Sequence, residues 1–317
     1  MTCCGAADKL KAMADDITAD KPSQGPKVYR IGGHEFFARP LAPALYLVAT
    51  PIGNLGDVTL RALETLAAAD LIACEDTRVT ARLLERYGIR TALTPYHDHN
   101  AAAARPKILA RLRDGGSVAL VSDAGTPLVS DPGYRLVRAA HDAGFAVTAL
   151  PGASAVLAAL GVAGLPTDRF FFEGFLPPKD AARRARIAEI ARIPATLVLY
   201  ETGPRMADAL AALAAGLGDR SAAVCRELTK LHEEVRRDTL AALARGYAEG
   251  GETRGEFVLV IAPPQTRAAS AEDVDDLLRQ ALRTQTVKDA VGAVAAATGE
   301  PRAQVYRRAL ALAKDTR

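Results

Sequence analysis

From Leu45 onward, short apolar runs alternate with longer stretches whose apolar residues recur three and four positions apart. Leu45–Thr50 (LYLVAT), Leu71–Cys74, Val118–Ser122 and Ala146–Leu150 read as buried strands, and a further strand is expected just before Tyr96. Between them, helical spacing runs through Thr59–Ala69 (Leu60, Leu63 and Leu66 on one stripe), Thr77–Tyr87, Ala101–Asp114, Asp131–Ala143 and Ala153–Leu160. Strands alternating with helices predict βαβ units, right-handed crossovers and a parallel sheet. A second block begins near Leu165. Its strands are Phe170–Phe175, Thr196–Tyr200, Ala222–Arg226 and Glu256–Ala262, and its helices Lys179–Arg192, Pro204–Ala215 and Thr239–Ala248. Pro263–Ser270 reads as a linker, followed by three short helices, Glu272–Arg283, Val287–Thr298 and Pro301–Lys314. The expected division is therefore an α/β chain with units at 44–164 and 165–263 and a helical module at 264–317.

Residues 1–43 stand apart. Their charges are mixed and Pro22, Pro26, Pro40 and Pro43 interrupt any long element, so a mostly mobile extension is expected, with Val28–Phe37 as a short extended segment. No apolar core of a secretory signal is present there. The uncharged run Ala143–Thr167 is long enough to raise a membrane span, but Pro151, Gly152, Gly161, Gly164 and Pro166 punctuate it as strand, turn and helix. A soluble, cytoplasmic protein is expected.

Composition narrows this only slightly. Hydrophobic residues at 49% and charged residues at 24% fit a globular chain rather than a disordered one. Forty Lys and Arg against 37 Asp and Glu leave +3, too little to diagnose a nucleic-acid partner, so any basic surface must be local. Cys3, Cys4, Cys74 and Cys225 form no CxxC pair, which argues against a zinc site or a disulfide framework.

No GxxxxGK[ST] loop occurs, and no GxGxxG follows the first strand, which disfavours kinases, GTPases and dinucleotide dehydrogenases. Instead, three strands run into loops of Gly, Pro and small polar residues. These are Pro51–Gly56, Asp123–Pro127 with Ser130–Gly133, and Pro151–Ser154. In open α/β sheets ligands bind beyond the carboxyl ends of strands, so the three loops mark one cleft.

On these residues the chain resembles the tetrapyrrole methylase superfamily. The string LYLVATPIGNLGDVTLRALETLAAADLIACEDTR is followed by HDHN at His97–Asn100. VSDAGTPLVSDPG at Val121–Gly133, LPGASA at Leu150–Ala155, EGFLPPK at Glu173–Lys179, YETGPR at Tyr200–Arg205 and RELTK at Arg226–Lys230 resemble one branch, the small-subunit ribosomal RNA (cytidine 2′-O)-methyltransferases. The resemblance implies a two-domain tetrapyrrole-methylase-like fold, a parallel-sheet domain beside a mixed-sheet domain, with a small C-terminal helical module. It implies S-adenosylmethionine as donor and S-adenosylhomocysteine as product. It also implies a homodimer and a cytidine ribose in the decoding region of small-subunit (16S) ribosomal RNA as acceptor, within an assembled subunit. The donor site carries over onto Pro51, Gly53, Ser122, Asp123, Gly125, Thr126, Val129 and Ser130, then onto Tyr200, Glu201, Thr202, Glu227 and Leu228, with Asp123 expected at the donor's ribose. The sequence departs from the family in its longer N-terminal extension and in LPGASA, where relatives often carry proline and cysteine.

A ribose hydroxyl is a weak nucleophile, and Asp98, Glu75, Glu201 and His97 are the candidates to accept its proton. A metal pair at His97 and His99 lacks a third ligand, and none is expected. For RNA contacts, Lys179, Arg183, Arg184 and Arg186 cluster on one predicted helix, and Arg279–Arg317 holds eight basic residues against three acidic ones. Tyr96, Phe175 and Tyr306 are candidates for base stacking. Two rivals remain at this point: a methyltransferase of a tetrapyrrole or other small molecule, and a non-catalytic RNA-binding assembly factor.

Overall fold

The computed structural model describes residues 26–130, 133–264 and 271–315. Most of the expected N-terminal extension, the Asp131 start expected for one helix and most of the 263–270 linker lie outside these residues.

The first described elements are β1 (Val28–Ile31) and β2 (His34–Phe37), a hairpin turned by Gly32 and Gly33. Both glycines have positive φ, which the tight turn requires. This hairpin is docked. Lys27 Nζ donates to the Ala68 and Ala69 carbonyls and pairs with Asp70 at 2.9 Å, while Tyr29 and Ile31 pack on the core beneath.

Five parallel strands follow: β3 (Leu45–Val48), β4 (Leu71–Cys74), β5 (Leu93–Pro95), β6 (Val118–Val121) and β7 (Val147–Leu150), in the order β5-β4-β6-β3-β7. Helices α1 (Leu60–Ala68), α2 (Thr77–Arg86), α3 (Ala101–Arg113) and α4 (Tyr134–Asp142) form the crossovers. Their starts follow from local chemistry. Thr59 Oγ1 accepts from the Ala62 amide and Asp76 from the Arg78 amide, filling the orphan donors of a helix N-terminus. One face of the sheet packs with α1, α2 and the hairpin, the other with α3 and α4.

Helix α5 (Ala155–Ala163) is capped by Ser154 and ended by Gly164 in the left-handed conformation. It closes the first half in sequence, yet it packs on the second sheet against Val198, Ala223, Val258 and Val260. That sheet comprises β8 (Phe170–Phe175), β9 (Thr196–Thr202), β10 (Ser221–Arg226), β11 (Glu234–Thr239) and β12 (Glu256–Ile261), ordered β11-β10-β12-β9-β8. Here β8 and β9 run parallel and the other pairs antiparallel, so the sheet is mixed. Its other face carries α6 (Asp180–Ile190), α7 (Met206–Leu217) and α8 (Leu240–Ala248). No strand is expected at β11 from the sequence; its charged residues EVRRDT suit a half-exposed sheet edge. Finally α9 (Ala271–Ala281), α10 (Val287–Thr298) and α11 (Arg302–Asp315) pack around Leu278, Val291, Val294 and Val305.

Candidate active site

The loops after β3, β6 and β7 are stitched together by hydrogen bonds. Thr50 and Gly125 exchange backbone bonds at 2.9 and 3.0 Å, Ser122 Oγ donates to the Ala124 and Gly125 carbonyls, and Thr126 Oγ1 donates to the Ala153 carbonyl. A cavity of about 270 Å³ lies between these loops and the ends of β9, β10 and β12. Its first-domain wall is Ile52, Ala124–Thr126, Val129, Ser130, Ser154 and Ala155, and its second-domain wall includes Phe175, Tyr200–Thr202, Cys225, Leu228 and Gly255–Val258.

Strain collects here. Leu128, Ser130, Glu227 and Thr229 are non-glycine residues with φ between 50° and 74°, and all four sit on loops that contribute to this cavity. Such backbone persists only where the surroundings over-determine it, as at ligand clamps.

Of the residues expected at a donor site, Gly125, Thr126, Val129, Ser130, Tyr200, Glu201, Thr202 and Leu228 line the cavity. Pro51, Gly53, Ser122, Asp123 and Glu227 do not. Gly53 backs onto the Lys230 side chain, where a Cβ would collide with it. Glu227 holds Lys230 Nζ at 2.8 Å and accepts from the Glu256 amide. Burial opposes its charge, but these two donors prevail and hold its carboxyl below the usual range. Asp123, expected at a ribose, instead accepts from the Asp76 amide at 2.9 Å, tying the β6 loop to the end of β4.

The buried carboxylate at the cavity is Glu201, 3% exposed; Glu256, also in the wall, is exposed. Its Oε1 accepts from the Thr202 amide at 2.8 Å. Its Oε2 is ion-paired with Arg205 Nη2 at 3.4 Å but accepts no hydrogen bond, while the same guanidinium nitrogen donates to the Leu176 carbonyl. Buried carboxylate oxygens are normally satisfied, so this one is available to a donor entering the cavity. Cys225 contributes only a thiol that burial pushes up to about 12, too high for a nucleophile near neutral pH.

A second polar region flanks the cavity at the ends of β4, β5 and β6. Burial raises the Glu75 carboxyl above its ordinary range, and the nearby charges of Asp123 and Asp98 raise it further. Asp98 is exposed and has no hydrogen bond among the described residues. His97 Nδ1 is buried without a partner, and Asn100 braces the loop by accepting from the His97 amide and donating to the Pro95 carbonyl. Tyr96 is 1% exposed and cannot stack on a base.

The basic helix differs from its expected role. Arg183 is buried on the inner face of α6 with Ile187 and Ile190, paired with Asp180. Arg186 is held by Glu173 at 2.6 and 2.8 Å and by Glu189 at 2.6 Å. Arg184 is exposed, with Asp180 beside it, and Lys179 is exposed. Of the four, Lys179 and Arg184 present charge outward.

No motif in the sequence marks Gly255–Val258, which reach the cavity because β12 lies between β10 and β9. Ser154 and Ala155 carry a signal in LPGASA, and Phe175 one in EGFLPPK.

The model for tetrapyrrole (corrin/porphyrin) methylases matches residues 44–244, and the model for the RsmI C-terminal HTH domain matches residues 268–313. A Mesorhizobium japonicum protein named ribosomal RNA small subunit methyltransferase I is 53% identical over 287 residues, covering 90% of this chain and 97% of its own length. An Erythrobacter litoralis protein of the same name is 53% identical over 279 residues, covering 88% and 99%. Among solved structures, a diphthine synthase matches with TM-score 0.54 at 19% identity, covering 69% of this chain and 89% of its own. A cobalt precorrin-4 methyltransferase matches with TM-score 0.52 at 17%, covering 69% and 94%. At these identities the structural likeness is one of fold.

Proposed function

This chain belongs to the tetrapyrrole methylase family, and from that premise we propose that it methylates the 2′-oxygen of a cytidine in the decoding region of small-subunit ribosomal RNA, with S-adenosylmethionine as donor. The observation that carries the reading is the meeting of two unlike regions in one cleft. One is a mainly apolar cavity with an unsatisfied Glu201 oxygen; the other is the carboxylate edge of Glu75, Asp98 and Asp123, joined to it through Asp123-Ala124-Gly125.

The residues fit the donor. Gly125 has φ +79°, and a Cβ there would lie 3.2 Å from Ile52 Cγ2, so the backbone itself must face the ligand. Thr126, Ser130 and Thr202 offer hydroxyls, and the Glu201 oxygen that accepts no hydrogen bond suits a ribose hydroxyl or an amino group. The bound donor supplies a methyl already activated on sulfonium. Asp98, with Glu75 behind it, stands to take the ribose hydroxyl's proton as the O–C bond forms and the C–S bond breaks, leaving S-adenosylhomocysteine. Holding the acceptor oxygen in line supplies much of the remaining acceleration.

RNA as the acceptor, in an assembled subunit, is supported by the names of the relatives and by the helical module, with Lys179, Arg184 and α11 presenting charge. A homodimer is supported by α5, which carries no charge and exposes Leu157 and Val162. Cytoplasmic placement is part of the same reading; among the described residues no helix is long and apolar enough to cross a membrane.

Calorimetry with S-adenosylmethionine should give one donor per chain, at least tenfold weaker in Gly125→Val, measured well below a melt that the strained φ of +79° should lower. Mapping of 2′-O-methyl groups on ribosomal RNA from cells with and without this protein tests the acceptor, with naked RNA and assembled subunits compared in vitro. No difference at any cytidine would defeat the reading. Leu157→Glu should halve the sedimenting mass.

A further inference from the structure

We propose that Tyr134, Arg135 and Arg105 form the subsite that receives the acceptor nucleotide, the Tyr134 ring stacking on its base and the two guanidiniums holding its flanking phosphates. The inference rests on RNA being the acceptor.

Helices α3 and α4 follow β5 and β6, the two strands that flank β4, and pack side by side on one face of the sheet, with Tyr96, Ala101, Leu136 and Ala140 in one buried cluster. Their first turns therefore open together at the carboxylate edge. Gly133 draws the start of α4 down onto the sheet: its φ is +142°, and a Cβ there would lie 3.1 Å from Leu120 of β6. The next residue, Tyr134, consequently stands at that edge with 65% of its surface exposed. It is four positions beyond Ser130, which lines the donor cavity.

Among the described residues neither arginine is engaged elsewhere. Arg105, in the second turn of α3, and Arg135, in the first turn of α4, have no ion pair or hydrogen bond among the described residues. Tyr96 shares a buried cluster with Ala101 at the start of α3 and Leu136 at the start of α4, and the charges of both arginines reach its hydroxyl. Burial raises that phenol's pKa, whereas the two guanidiniums pull it down, and Asp98 acts on the same group. Thus two unpaired cations, an exposed aromatic ring and the candidate base share one rim.

This combination matches single-stranded RNA, whose splayed bases stack on aromatic faces while arginines neutralise the backbone. A porphyrin-like acceptor would want a broad apolar basin, and the groups at this rim are polar or charged apart from one ring. The ring and cations fix where a nucleotide lies; the carboxylate then meets its 2′-hydroxyl.

The test uses the full chain and small ribosomal subunits from cells lacking this protein. Stacking on an aromatic contributes about 1–3 kcal/mol per base, so Tyr134→Ala should raise the KM for subunits about 5- to 150-fold. The KM for S-adenosylmethionine should hold, and Tyr134→Phe should restore the wild-type KM. The double variant Arg105→Gln/Arg135→Gln should weaken subunit binding and flatten its salt dependence. A Tyr134→Ala chain with a subunit KM within twofold of wild type overturns the stacking role, and an unchanged salt slope in the double variant overturns the phosphate contacts. Failure of the unsubstituted chain to methylate subunits, with donor binding intact, overturns the functional reading and the subsite with it.

Discussion

Asp98 owes its availability to its neighbour. Asn100 turns its side chain back onto the His97 amide and the Pro95 carbonyl, and α3 begins without a side-chain cap. Asp98 is therefore not spent on capping, and Asp98→Asn should leave the melting temperature unchanged. General-base help amounts to about 10²–10⁴ in rate, so single-turnover methylation should slow by that order while donor affinity holds. A rate within threefold of wild type would shift the role to Glu75. Glu75 makes a separate prediction. Burial, then Asp123 and Asp98, lift its pKa in the folded chain above the unfolded value. The folded state thus binds this proton more tightly, a stabilisation present at acid pH and lost as pH rises through the raised value. Ionised Glu75 opposes folding at neutral pH. Glu75→Gln should raise Tm near neutrality, and the gain should vanish by about pH 4, where the wild-type carboxyl is protonated anyway. Thermal melts across that range decide it.

Among the elements, α6 shows how charge counts mislead. Arg183, Ile187 and Ile190 fall four and three apart, so one stripe carries all three inward. That spacing is visible in the sequence, but a tally of basic residues hides it. Arg186 lies on the flank, where it satisfies Glu173, whose side chain is only 6% exposed. Arg186→Ala should therefore cost stability, about 2 kcal/mol from the stranded buried carboxylate, rather than RNA affinity. Denaturant melts beside a binding assay separate the two outcomes. The parallel half is legible because its buried strands are continuous apolar runs and its helices carry stripes. β11 is not legible. It pairs with β10 from Ser221↔Thr239 to Arg226↔Glu234, but as an edge strand half in water it keeps charged residues and no apolar alternation. The cavity wall at Gly255–Val258 is equally hidden, since only the strand order brings it beside Tyr200. Glycine and proline loops mark where strands end; which strands become neighbours depends on pairing that no local motif encodes.

Across the whole molecule a net charge of +3 conceals separation of sign. Within the helical module, α9 carries Asp273, Asp275 and Asp276, the last paired with Arg279, whereas α11 carries Arg302, Arg307 and Arg308. Arg308 is committed to the fold, bound to Asp275 at 2.8 and 2.9 Å, and so fixes α11 against α9. Arg302 and Arg307 remain exposed, with Tyr306 between them at 47%. A polyanion is therefore met by α11 and repelled by α9, which orients the module on RNA without requiring bulk positive charge. Arg302→Glu/Arg307→Glu should weaken binding to ribosomal RNA and reduce the slope of log K against log salt by about 2, since each phosphate these arginines cease to neutralise keeps its counterion. Donor affinity and thermal stability should hold, because neither residue touches the cavity or the Asp275–Arg308 pair. Titrations at several salt concentrations, with calorimetry for the donor, measure both arms. An unchanged slope would mean that α11 does not face the RNA, and the electrostatic attraction would then fall to Lys179, Arg184 and the arginines beside Tyr134.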